Sequence, residues 1–215
     1  WFHVCYVVFC SVFGLQTQRS TRSRSSSASA CYKRQVVSAT GRGPNLQSII
    51  DSTQSGFIPG KITLVISYNP DAFALIRAQK AKIPTLVLDF KSFTGKKAYE
   101  DELLKVLKKE NPSIICLAGY MRIVGKAIIS QFYYRILNIH PSLLPAFPGL
   151  EAQKQALEYG VKVSGCTVHL VDEGMDTGPI ILQAPVLVKD SDTVESLSQS
   201  ILEKEHEIYS RAIKM

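Results

Sequence analysis

No acidic residue occurs in the first 50 positions of this 215-residue chain, and no C-x-x-C pair, G-x-G-x-x-G turn or Walker loop occurs anywhere in it. Each absence excludes something. The chain's formal charge of +7 is carried by its start, where Arg19, Arg22, Arg24, Lys33, Arg34 and Arg42 have no acidic counterweight; positions 51–215 hold 19 basic against 18 acidic residues. A basic face that tracks phosphates is therefore not expected, and neither is a nucleic-acid partner. Of the five cysteines, Cys5, Cys10 and Cys31 lie near the start, while Cys116 and Cys166 sit inside apolar runs. That pattern argues against a disulfide framework or a zinc site and fits a reducing compartment. The apolar stretch Trp1 to Leu15 is shorter than the roughly 20 residues a membrane helix needs, so no membrane partner is expected. What remains is a composition of 46% hydrophobic and 20% charged residues with mean hydropathy +0.06, that of a chain able to fill one large core.

Residues 1–34 read as a leader. The stretch from Gln16 to Arg34 is rich in Ser and Arg and without acid, like an organellar transit peptide, whereas the apolar stretch before it resembles a signal-peptide core lacking its charged flank. A disordered extension or a misassigned start would give the same composition. The expected location is cytoplasmic, or organellar if the leader is a transit peptide.

From Gln35 to Met215 the pattern alternates strand with helix, one domain of the α/β class. Strands are predicted at Val36–Ala39, Lys61–Ser67, Thr85–Leu88, Ser113–Ala118, Arg135–His140, Cys166–Val171 and Pro179–Val188. Leu46, Ile49 and Ile50 give helical spacing. Helices are predicted at Pro70–Ala81 with Asn69 as N-cap, Lys96–Lys109, Lys126–Phe132, Glu151–Tyr159 and Thr193–Ile213. Ser113–Ala118 (SIICLA) has no polar face, the mark of a parallel strand covered on both sides. Repeated β-α-β units imply a doubly wound, mostly parallel sheet with helices on both faces, whose site lies beyond the carboxyl ends of its strands.

Three clusters could carry chemistry. In R-I-L-N-I-H-P-S, Asn138 and His140 are two apart on a strand and project from one face, so a carboxamide donor and an imidazole meet where Pro141 stops the ladder. Together they can polarise a carbonyl and move a proton; spacing alone favours the plainer reading, a hydrogen-bonded pair at a sheet edge. D-E-G-M-D-T-G-P (172–179) is a shaped loop with three acids, either a solvated turn or a site for a cation or a proton relay, and lacks the ligand spacing of an EF-hand calcium loop. G-R-G-P-N-L-Q (41–47) is a glycine-rich turn between strand and helix, either a plain turn or an anion site. His169 alternates into the strand before the acidic loop and reads as a core residue with a supporting role left open. His206 reads as structural or exposed, and Cys116 as a small buried hydrophobe.

These segments resemble the glycinamide ribonucleotide formyltransferases. L-A-G-Y-M-R-I (117–123), L-N-I-H-P-S-L-L-P-A-F-P-G (137–149), D-E-G-M-D-T-G-P-I-I-L-Q (172–183) and E-K-E-H-E-I-Y (203–209) occur in that family's order and spacing, across about Val36 to Ile213. The resemblance implies a formyltransferase-like, Rossmann-type fold and transfer of a formyl group from the co-substrate 10-formyltetrahydrofolate to the glycinamide amine, a step of purine synthesis that needs no metal. It assigns Asn138 to the formyl oxygen, His140 to proton transfer, and Asp176 to orienting and charging His140. The ribonucleotide would meet Gly43, Pro44 and Asn45 through its phosphate and Glu205 through its ribose. The folate would lie against Met121, Arg122, Ile123 and Val124, the backbone of Asp172, Glu173, Gly174, Met175 and Asp176, and Lys96, where many members have arginine. The turn usually reads G-x-G-S-N; Pro44 removes a hydroxyl and an N–H from it.

Other formyl-folate enzymes share the Asn-x-His strand and the acidic loop. A methionyl-tRNA formyltransferase is disfavoured by the near-neutral body and the lack of room for an RNA-binding domain, a formyltetrahydrofolate hydrolase by the lack of a regulatory domain. A non-catalytic folate- or nucleotide-binding module would be consistent with Pro44 but not with an intact Asn138, His140 and Asp176.

Overall fold

A computed structural model describes residues 34–215, so the expected leader lies outside the described residues except for Arg34. Arg34 belongs to the fold: it opens the first strand, its guanidinium lies 3.2 Å from Glu110, and its N–H donates to Ser113 Oγ.

The chain alternates as expected: β1 (Arg34–Ala39), α1 (Pro44–Gln54), β2 (Lys61–Ser67), α2 (Phe73–Lys80), β3 (Thr85–Val87), α3 (Lys96–Glu110), β4 (Ile114–Ala118), α4 (Lys126–Gln131), β5 (Ile136–His140), α5 (Ala152–Tyr159), β6 (Val163–Leu170), β7 (Ile180–Leu187) and α6 (Val194–Lys214). The sheet runs β3-β2-β1-β4-β5-β6-β7, parallel from β3 to β5 and antiparallel for β5/β6 and β6/β7. β6 and β7 are joined directly through 171–179 without a helix, too short a link for a parallel crossover. Strand order reverses between β1 and β4, which opens a crevice at their carboxyl ends.

Period-two alternation divides the core into two layers. Val37, Cys116, Leu137 and Ile139 face α1, α2 and α6, whereas Val36, Ile115, Leu117 and Ile136 face α3 and α4. Helix α6 starts at a capping box made by Thr193 and Ser196 and buries Leu197, Ile201, Ile208 and Tyr209. Tyr209 closes the layer by donating its hydroxyl between the carbonyls of Leu117 and Leu137, at 2.9 and 3.0 Å. Helix α2 starts later than expected. Asn69 does not cap it; its Oδ1 accepts from the Asp71 N–H and its carbonyl from the Ala72 N–H, so a turn replaces the expected first helical residues and Ala72 is the N-cap. Among the described residues no helix is long and apolar enough to cross a membrane.

Candidate active site

β5 delivers Asn138 and His140 to the crevice, on the α3/α4 side of the sheet, with Ile136 beneath them. The antiparallel register of β6 sets His169 opposite Asn138, and Asn138 Nδ2 lies 3.2 Å from His169 Nε2. His140 is buried and doubly held. Its Nε2 lies 2.9 Å from the carbonyl of Phe147, which can only accept, so Nε2 carries a hydrogen; its Nδ1 lies 3.4 Å from Asp176 Oδ2.

The Phe147 carbonyl is in place because the sheet edge fixes its loop. Thr167 Oγ1 donates to the Ser142 carbonyl at 2.6 Å and accepts the Leu144 N–H, while Gln183 Nε2 donates to the Leu144 carbonyl at 2.9 Å.

Asp176 sits in the acidic loop with φ of 57°, a left-handed conformation that costs a non-glycine residue energy and persists only when its surroundings hold it. Three groups do so: the Gly149 N–H donates to Oδ2 at 2.9 Å, His140 lies beyond it, and His169 Nε2 is 3.6 Å from Oδ1. Burial opposes ionisation of this carboxyl, but the neighbouring His169 imidazole, the Gly149 N–H and His140 outweigh it and hold Asp176 below the usual carboxylate range. The loop is self-supporting. Asp172 Oδ1 accepts from the Gly174 N–H and from Thr177 Oγ1, Glu173 reaches Lys126 at 2.7 Å, and a Cβ on Gly178 would collide with the Leu170 carbonyl.

A second group of residues assembles at the carboxyl end of β1. The glycine-rich turn runs into α1, with Gly43 as N-cap in a left-handed conformation (φ 63°) and Pro44 at the first helical position. Pro44 costs the helix nothing there, because no helical acceptor awaits that N–H; any loss falls on a ligand. Asn45 Nδ2 donates at 2.8 Å to Glu205 Oε2, a pairing 160 residues apart in sequence. Glu205 lies in the apolar stripe of α6 with 7% exposure; burial pushes its carboxyl up, against the smaller opposing effect of Asn45.

Between the two groups, the exit of β4 carries Met121 to Val124. Met121 and Ile123 are 68% and 59% exposed, unusual for large apolar side chains, and with Lys96, Tyr99, Glu100, Tyr120 and Arg122 they line a cavity of about 300 Å³. Arg122 is held over the Phe90 ring at 3.4 Å from its centre, and Lys96 lies 3.5 Å from Glu100. Val124 differs from its neighbours: it packs on the α3/α4 layer and does not line this cavity.

Residues 33–213 match the family described as formyl transferase. The chain belongs to the formyl transferase family. Among its relatives, phosphoribosylglycinamide formyltransferase of Bacillus subtilis is 41% identical over 182 residues, 85% of this chain and 93% of that protein. The trifunctional purine biosynthetic protein adenosine-3 of Drosophila melanogaster is 47% identical over 185 residues, but the chain spans only 14% of that protein's length. Glycinamide ribonucleotide transformylase 1 from Symbiobacterium toebii superimposes with a TM-score of 0.84 at 51% identity, covering 85% of this chain and 86% of that one.

Within this formyl transferase the expected residues fall into the three groups just described, all at the carboxyl edge of the sheet. His169 is a buried, hydrogen-bonded core residue as expected, and it also contacts both Asn138 and Asp176, which only the β5/β6 register could reveal. His206 is half-buried and burial pushes its imidazole down, so it is neither exposed nor part of the centre. Cys116 is a buried thiol pushed up to about 12 by burial, in line with its reading as a hydrophobe.

Proposed function

We propose that the chain transfers the formyl group of 10-formyltetrahydrofolate to the amine of 5-phosphoribosylglycinamide. The observation that carries this reading is the adjacency of two half-sites, a carboxamide–imidazole–carboxylate centre at the end of β5 and a glycine-rich turn paired with a buried acid at the end of β1. An acyl-transfer enzyme must hold both reactants with the amine against the carbonyl, and this edge offers a place for each.

In this reading the amine attacks the formyl carbon and a C–N bond forms. Asn138 Nδ2 donates to the oxygen that gains charge. The attacking nitrogen then loses a proton and the folate nitrogen gains one as its bond to the formyl carbon breaks. His140 carries that proton, directly or through water, and Asp176, ionised and fixed by Gly149, stabilises the imidazolium while it lasts. His169 holds Asn138 and Asp176 in register. The ribonucleotide lies along Gly43, Pro44, Asn45 and Glu205, and the folate along Met121 to Ile123, Lys96 and the backbone of 172–176.

The test is a parallel assay of the purified chain with glycinamide ribonucleotide, initiator methionyl-tRNA and water as formyl acceptors. Formylation of the ribonucleotide alone supports the reading. Formate release at the same rate with and without the ribonucleotide, or formylation of the tRNA, would replace it.

A further inference from the structure

Helix α2 takes no part in the formyl-transfer centre, yet it meets the glycine-rich turn at three points. The Ala74 N–H donates to the Gly41 carbonyl at 3.2 Å, and Arg77 Nε donates to the Arg42 carbonyl at 2.9 Å. A Cβ on Gly43 would lie 2.8 Å from Ala74 Cβ, so the turn rests on α2 with no space between them. Arg77 is itself fixed, with Nη1 donating to Gln47 Oε1 at 3.2 Å and the guanidinium 5.0 Å from the centre of the Phe73 ring.

These contacts decide where the turn's donors point. In a trans peptide the carbonyl and the following N–H point in opposite directions, and the peptides through 41–43 are trans. With the Gly41 and Arg42 carbonyls turned to α2, the N–H groups of Arg42 and Gly43 are turned away from it. Left-handed conformations at Gly41 (φ 65°) and Gly43 (φ 63°) curl the segment into the concave backbone shape that binds anions. Among the described residues no acceptor takes the N–H of Arg42 or Gly43, or those of Asn45 and Leu46 in the first turn of α1. Asn45 is also buried, at 9% exposure, and its unpartnered Oδ1 is an acceptor that suits a ligand hydroxyl and not the anion. Because Pro44 offers no N–H, binding depends on how well the others are aimed.

We propose that Arg77 is a positioning residue for the ribonucleotide phosphate: by holding the Arg42 carbonyl it aims the Arg42 and Gly43 N–H groups at the anion without touching the anion itself. This rests on the reading of the turn as the phosphate subsite. The guanidinium suits the task because its planar fork spans Arg42 on the turn and Gln47 on α1 at once.

The experiment uses Arg77→Met, which keeps the apolar stem and removes the donors, and Arg77→Lys, which can reach one acceptor but not both. Arg77→Met should raise KM for glycinamide ribonucleotide about ten- to a hundredfold while kcat and the folate KM stay within about twofold. Arg77→Lys should fall between it and wild type, and carries the test alone if the Met variant does not fold. Amide NMR during titration with inorganic phosphate separates positioning from direct contact: the Arg42 and Gly43 resonances should move in wild type and lose most of that response in the variant. An unchanged ribonucleotide KM overturns the proposal. So does a raised KM with the amide response intact, which would place Arg77 on the phosphate itself. If the wild-type turn amides ignore both phosphate and ribose 5-phosphate, the phosphate reading fails first and takes this inference with it.

Discussion

Glu205→Gln should stabilise the protein and weaken its hold on the ribonucleotide. Glu205 is a carboxyl in an apolar stripe, and among the described residues its one hydrogen-bonding side chain is Asn45, at 2.8 Å. Burial raises its folded pKa above the roughly 4.3 of an unfolded glutamate. Below both values the group is neutral in either state and contributes nothing. As pH rises past the unfolded value the unfolded chain ionises first, so the wild type loses stability until its folded value is passed. Gln has the same shape and its oxygen still accepts from Asn45, while the charge is lost and the other oxygen becomes an NH2 donor. The expected gain is about 1–2 kcal/mol near pH 8, a few degrees in Tm, shrinking to nothing near pH 4. On the functional side, a ribose hydroxyl donating to a carboxylate is worth about 1–1.5 kcal/mol more than one donating to an amide, so KM for the ribonucleotide should rise about tenfold per hydroxyl held. Thermal unfolding at both pH values and steady-state kinetics with each substrate provide the assay. A variant that is less stable at pH 8, or equally shifted at both pH values, would refute the buried-charge argument; an unchanged KM would remove Glu205 from the ribose.

Asn138→Ala and His140→Ala should each reduce turnover by about two to four orders of magnitude with folding retained, and near wild-type turnover in either would remove that residue from the centre. Asp176→Asn should lower kcat about a hundredfold or more and leave the ribonucleotide KM alone. Because its folded pKa is depressed, the stability that Asp176 gives over Asn should be present above about pH 4 and vanish as pH falls through the folded value, which unfolding curves across that range would check. Pro44→Ser should tighten ribonucleotide binding by restoring an N–H and a hydroxyl at the start of α1; equal affinity by calorimetry would place the phosphate elsewhere. Gly43→Ala should lose roughly 1–3 kcal/mol and bind the ribonucleotide poorly, since a Cβ there meets Ala74 and the left-handed φ opposes it; a fully stable variant would refute the close contact between turn and helix.

What the sequence determined by itself was everything carried by local periodicity. The apolar run at β4, the period-two placement of Asn138 and His140 on β5, and the end of α3 at Asn111 (φ 43°) before Pro112 all rest on chemistry within a few residues. The start of α2 escaped because Asn69 can bond its own turn as readily as cap a helix, and nothing nearby in sequence chooses between them. Glu205 carried one legible sign, an acid at helical spacing from Ile201 and Ile208, but its partner could not be read. Tertiary structure decided the pairings. His169 meets Asn138 only through the β5/β6 register, Asp176 meets His140 only because its loop folds back over Gly149, and Arg77 meets Arg42 only because α2 packs under the turn. A side chain's own direction follows from its backbone period, whereas the group it faces depends on closing loops tens of residues long, and no local pattern encodes where their ends meet.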